Sequence, residues 1–119
     1  MFAKATHHYQ QQHNLAERQA EFARISTRHV DRVPIIIEPA SKKCPNLDKN
    51  KFLAPKDITV GQFLYIIRKR LSLEPDKALF LFVNQSLPCS SQTILELQQA
   101  YQANDGFLYM KYDLENTFG

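Results

Sequence analysis

Apolar residues recur along this chain with two different periods. "NLAERQAEFARISTRH" places Leu15, Phe22 and Ile25 on one helical face with Arg18 between them. Asn14 is a suitable N-cap and Glu17 stands three residues on, the spacing of a capping box. That stripe is too thin for a domain core and predicts a helix laid on another element. "RVPIIIEP" reads as a strand, with Val33, Ile35 and Ile37 on one side and Pro34 and Ile36 on the other. Both sides are apolar, so this strand is expected to be covered on both faces.

"SKKCPNLDKN" is a polar loop. "KFLAP" is a second strand, which Pro55 stops or confines to a sheet edge. "ITVGQFLYIIRKRLSL" is the strongest helical signal: Thr59 and Gln62 form a second capping box, and Phe63, Ile66, Ile67 and Leu71 form an apolar face. "ALFLFVN" is an apolar strand, read as central, in which Phe80 and Phe82 are expected to be mostly core. "TILELQQAYQ" is a shorter helix capped by Thr93 and Glu96, "NDG" is a turn, and "FLYMKYDL" is the last strand. Residues 1–13 are polar, rich in Gln and His, and weak in helical potential.

Two hairpin-like halves thus flank one long amphipathic helix. The compact solution packs that helix across a mixed four-stranded sheet whose first and last strands are central and parallel. This is an α+β fold of the ubiquitin-like β-grasp type, with the long helix on one face and an N-terminal helical extension on the other. The expected organisation is a helical extension over 1–28, the β-grasp domain over 29–114 and an exposed tail over 115–119.

Charge adds a polarity to this picture. The chain of 119 residues has a formal net charge of +3. Residues 1–70 hold 13 basic and 6 acidic residues, and residues 71–119 hold 2 and 6. The basic half suits acidic peptides, anionic headgroups or nucleic acid, or serves only as a solvated face. "IRKRL" lacks the interleaved exposed aromatics of a nucleic-acid surface, so nucleic acid is not expected. Cys44 and Cys89 form no CxxC motif, and His7, His8, His13 and His29 lack metal-ligand spacing. A reduced intracellular protein without metal or cofactor is expected, with both thiols incidental. The N-terminus has no apolar leader segment, and no apolar run approaches the roughly 18 residues of a membrane span. No Gly-rich phosphate loop or nucleophile–base pair supports an enzyme, so no catalytic residue is assigned.

"DRVPIIIEP", "LDKNKFLAP", "ITVGQFLYIIRKRLSL", "ALFLFVN" and "FLYMKYDLENTFG" occur in that order. Through them the chain closely resembles the autophagy ubiquitin-like modifiers, the family of the GABA-receptor-associated protein and the microtubule-associated protein light chain. Similarity runs from about Asn14 to Gly119. The resemblance implies a cytoplasmic protein joined through Gly119 to phosphatidylethanolamine, and held on autophagosomal membranes only through that lipid. It implies activating and conjugating enzymes, and a processing or deconjugating cysteine protease, as partners. Family precursors mostly carry residues beyond the glycine; here Gly119 is terminal, so the end is expected to be ready for conjugation. Glycine suits a threaded acyl donor because it lacks Cβ. Phe118 stands where the family has an aromatic and is expected to anchor the tail.

The resemblance also implies a groove for cargo receptors and adaptors that carry an aromatic-x-x-aliphatic motif. An edge strand such as "KFLAP" can accept such a peptide as an added strand. Carried over by position, the aromatic pocket comprises Glu21, Ile25, Pro34, Ile36, Lys51, Leu53 and Phe107. The aliphatic pocket comprises Phe52, Ala54, Pro55, Ile58, Phe63 and Ile66. Arg32, Lys49, Lys51 and Arg70 would meet acidic residues flanking the motif. Ile36, Phe63 and Ile66 also read as ordinary core, and the two roles are compatible. The chain departs from the family at Asn14 and Leu15, where a proline and a bulky aromatic are common, at a loop shortened around Cys44 and Pro45, and at Ala54, which is smaller than usual. A ubiquitin-like binding module that never uses its tail stands as the alternative.

Overall fold

The computed structural model describes residues 7–114. Four helices and four strands follow in the order α1 (His8–Gln12), α2 (Leu15–Arg28), β1 (Arg32–Pro39), β2 (Lys51–Pro55), α3 (Val60–Leu71), β3 (Leu79–Phe82), α4 (Ile94–Tyr101) and β4 (Leu108–Leu114). The capping residues explain where three helices start. Asn14, Thr59 and Thr93 each accept the backbone N–H three residues on, and Glu17, Gln62 and Glu96 each return a side-chain acceptor to the cap N–H. Two otherwise orphan donors are satisfied at each start. Helix α3 stops where Ser72 turns left-handed, at φ 54°.

The sheet order is β2-β1-β4-β3. β1 and β4 run parallel at the centre, with Ile35 beside Leu108 and Ile37 beside Met110. β2 is antiparallel to β1 and β3 antiparallel to β4. This is the ubiquitin-like β-grasp arrangement expected from the element order. β3 is nonetheless an edge strand rather than a central one. Its alternation sends Leu79 and Leu81 into the core and leaves Phe80 and Phe82 half-buried on the opposite side. The expectation of a core role for those two rings is corrected by strand order: an edge strand has one neighbour and less cover.

Both faces of β1 are covered. Val33, Ile35 and Ile37 join Phe52, Phe63, Ile67, Leu97 and Tyr112 in the main core beneath α3 and α4. Ile36 faces the other way, into a smaller cluster with Tyr9 and Phe107, against which Phe22, Ile25 and Tyr109 pack. That second cluster is the floor under α1 and α2. Fully burying an aliphatic side chain contributes roughly 1.5–3 kcal/mol, so the second layer adds materially to the fold.

The N-terminal segment is more structured than its composition suggests. α1 is a single helical turn, too short to persist alone, yet Tyr9 within it is 4% exposed. Its first N–H groups are met by a carboxylate from β1: Glu38 accepts from His8 N–H at 2.7 Å and Tyr9 N–H at 3.0 Å. His7 Nε2 lies 2.8 Å from the Met110 carbonyl of β4. A carbonyl only accepts, so Nε2 carries the proton. Glu38 is itself buried, and α1 supplies its hydrogen bonds.

Candidate functional site

β2 has β1 on one side and no strand partner on the other among the described residues. Its free edge is flanked by α2 on one sheet face and α3 on the other. The strand alternates accordingly: Phe52 and Ala54 are buried toward the main core, whereas Lys51, Leu53 and Pro55 are half-buried toward the opposite side. A cavity of about 680 Å³ runs along this edge.

The sequence-derived residues converge on that cavity. On the α2 side it is lined by Glu21 and Ile25 of α2, Pro34 of β1, Lys51 and Leu53 of β2, and Phe107 just before β4. On the α3 side it is lined by Phe52, Ala54, Pro55, Ile58, Phe63 and Ile66. Arg32, Lys49 and Arg70 complete the rim. Ile36 departs from the expectation. It is 0% exposed and lies behind the groove between Tyr9 and Phe107, so it supports the wall without lining it. Phe63 serves both roles, 1% exposed yet lining the cavity, whereas Ile66 is 41% exposed and is groove wall rather than core. Arg24, Arg28, His29 and Ile35 also line the cavity and were missed. Helical spacing offered a signal for two of them: Glu21, Ile25 and Arg28 follow the three- and four-residue steps of one face, with Arg24 beside it.

The groove is strongly basic. Arg24, Arg28, Arg32, Lys49, Lys51 and Arg70 line it, against Glu21 as its one carboxylate among the described residues. Glu21 is taken up by two of the cations. Arg24 donates to both of its oxygens at 2.9 Å, and Lys51 Nζ donates to Oε2 at 2.8 Å. Those charge-assisted bonds, Arg24 first and Lys51 next, lower its pKa to about 2. Lys49 Nζ lies 4.8 Å from the centre of the Phe52 ring, and the Arg70 guanidinium 5.5 Å from it. Arg70 also reaches Asp48 at 3.0 Å. Such exposed pairs contribute little to stability. The cations are therefore held near the groove mouth yet can exchange partners with an incoming acid at small cost.

Two carried-over positions, Phe118 and Gly119, lie outside the described residues. Of the thiols, Cys44 is buried and donates to Asp113 Oδ1 at 2.9 Å, while Cys89 is exposed. Burial, reinforced by that carboxylate, raises the Cys44 pKa, which opposes thiolate reactivity.

A family model described as "Autophagy protein Atg8 ubiquitin like" matches residues 17–119. The chain is 46% identical over 112 residues to Autophagy-related protein 8d of Arabidopsis thaliana, covering 93% of each protein. It is 49% identical over 109 residues to Autophagy-related protein 8A of Oryza sativa subsp. indica, covering 91% of this chain and 92% of that one. Among solved structures it is similar to Trypanosoma brucei ATG8, at 41% identity and a TM-score of 0.88, over 93% of this chain and 97% of the other. It is also similar to Plasmodium falciparum Atg8 in complex with a Plasmodium falciparum Atg3 peptide, at 28% identity and a TM-score of 0.82, over 91% and 96%.

Proposed function

This chain belongs to the Atg8 family of autophagy ubiquitin-like proteins, and we propose that it is a lipid-conjugated modifier that gathers partners through the β2 groove. The observation that carries the reading is the groove itself: a strand edge with no strand partner among the described residues, running along one cavity with apolar side chains on both sides of the strand and a rim of cations. An extended peptide adds to β2 by main-chain hydrogen bonds, each contributing about 0.5–1.5 kcal/mol net. Its aromatic residue enters between α2 and β2, over Phe107 and Leu53. Its aliphatic residue enters between β2 and α3, over Phe63 and Ile66. Acidic neighbours of the motif meet the basic rim, which steers encounter more than it adds affinity. The partners proposed are cargo receptors and adaptors. The pairing of the Plasmodium falciparum relative with an Atg3 peptide supports a conjugating enzyme as a further partner.

Conjugation is assigned to Gly119. Its carboxylate attacks ATP on an activating enzyme, releasing pyrophosphate and forming an acyl adenylate. A partner cysteine thiolate displaces AMP to give a thioester, which is passed to a second cysteine. The amine of phosphatidylethanolamine then displaces that thiol and forms the amide. All nucleophiles belong to the partners; this chain supplies the acyl carbon and no catalytic group. The protein is accordingly placed in the cytoplasm and, once lipidated, on autophagosomal membranes. The anchor in this reading is the lipid; no helix among the described residues is long and apolar enough to cross a membrane.

The test is reconstitution with the activating and conjugating enzymes of the family, ATP and vesicles containing phosphatidylethanolamine. A vesicle-bound adduct that is absent for Gly119→Ala supports the modifier reading. No adduct, with enzymes active on a control Atg8, would leave a peptide-binding module that does not use its tail.

A further inference from the structure

Tyr9 touches the aromatic pocket from behind without lining it. Its ring packs edge-on against Phe107, with centroids 5.5 Å apart and planes at 80°. Lys51 Nζ lies over the same ring, 5.4 Å from its centre. Phe107 and Lys51 both line the groove. Tyr9 therefore contacts one residue of the pocket floor and one of its mouth. Lys51 is held from two sides, by the Glu21 carboxylate of α2 and by the π face of Tyr9 from α1.

Tyr9 is itself fixed by α1. Glu38 grips the start of that turn, and Arg18 donates to the His13 carbonyl just beyond its end at 2.6 Å. The His13 ring lies against Tyr9, with centroids 4.8 Å apart. We infer that Tyr9 is a positioning residue through which α1 sets the depth and mouth of the aromatic pocket, making this segment a determinant of motif selectivity. Without the ring, Phe107 loses one of its three edge-on aromatic contacts, keeping those of Phe22 and Tyr109, and Lys51 loses the π face and keeps Glu21. The lysine is then free to swing across the mouth, and the floor yields to an aromatic side chain less firmly. The aliphatic pocket, on the other face of β2, is not touched by Tyr9. The effect must therefore be selective for the aromatic position. This inference rests on the groove reading above.

The experiment titrates the full chain with an acidic synthetic peptide carrying Trp-Ala-Ala-Leu and with its Leu-Ala-Ala-Leu counterpart, by calorimetry. For Tyr9→Ala the Trp peptide is expected to weaken about five- to tenfold and the Leu peptide less than about twofold, on the scale of one aromatic and one cation–π contact. Tyr9→Phe keeps the ring and restores the wild-type ratio. Tyr9→Leu fills the volume without a π face; it should fold where Tyr9→Ala does not, and should still lose Trp selectivity. An unchanged Trp-to-Leu affinity ratio in Tyr9→Leu, with wild type binding normally, overturns the inference. Failure of wild type to bind either peptide overturns the groove reading, and this inference with it.

Discussion

Arg18 of α2 and Asp105, in the turn before β4, form an ion pair of 2.8 Å in which the Asp105 side chain is fully buried. Asp105 is the hub of that turn. It also accepts the Tyr109 hydroxyl and, through Oδ1, the Phe107 N–H at 2.9 Å. Desolvation, aided by this carboxylate, raises the Tyr109 pKa strongly, so the phenol stays a donor. Removing one partner of a buried pair strands the other, at a cost of about 3–5 kcal/mol. Asp105→Ala is expected to destabilise the fold by roughly 3 kcal/mol, read from urea unfolding, with Asp105→Asn less damaging. A change below about 0.5 kcal/mol would remove the hub from this account.

Gly106 follows immediately at φ 103°, and a Cβ there would stand 2.3 Å from the Phe22 ring. Backbone and space agree that only glycine fits. Gly106→Ala should destabilise by about 2 kcal/mol or more, and should loosen the docking of α2 first. Amide exchange along α2 would report it. Protection equal to wild type would contradict the clash.

The Glu21 pKa, lowered to about 2 by Arg24 and then Lys51, has a defined consequence in acid. A depressed carboxylate contributes stability that is present above its unfolded value near 4.5 and lost as pH falls toward 2. Wild type minus Glu21→Gln should therefore show a stability difference that is constant above about pH 5 and vanishes by about pH 2. A difference independent of pH would mean that Glu21 acts through packing alone.

His7 carries the opposite charge type. Burial is the main cause of its lowered pKa, opposed by the Met110 carbonyl and by Glu38 and aided by Lys111. Its folded pKa lies below the ordinary 6.5, so the stability it lends α1 is complete above that pH. It is lost as pH falls through the folded value. Tyr109 meets the same ring, with centroids 4.8 Å apart. Proton NMR of the ring should give a midpoint under 6.5, and amide protection in α1 should fall with it. In His7→Gln, which retains a donor for Met110, that acid-linked loss of protection should disappear. A midpoint above 6.5 would reverse the sign.

In the groove, Leu53 is half-buried on β2 and lines the cavity. Leu53→Ala should weaken an aromatic-x-x-aliphatic peptide about fivefold or more while costing the fold about 1 kcal/mol, because only part of the side chain is shielded before the peptide arrives. An unchanged titration curve would remove Leu53 from the site.

The reading of β2 shows how far sequence carries. Pro55 and the alternation of Phe52 and Ala54 against Lys51 and Leu53 predicted an edge strand with two different faces, and the sheet order bears this out. Ile36 and Ile66 show the limit. Each stood on an apolar face of its own element, yet one is sealed behind the groove and the other is exposed within it. Tyr9 and His7 were illegible for a related reason. A polar one-turn helix has no periodic signal, and its anchors, Glu38 and Met110, lie 29 and 103 residues away.

Local chemistry is written in neighbouring residues: caps three apart, faces two or four apart, a proline that ends a strand. From these the sequence by itself determined every element after α1, their order and the β-grasp fold, and its motifs pointed to the family. What meets what across elements depends on how those elements are placed against one another. Only the tertiary structure brought Glu21 between Arg24 and Lys51, set Tyr9 behind Phe107, and turned an edge strand and two helices into one basic groove.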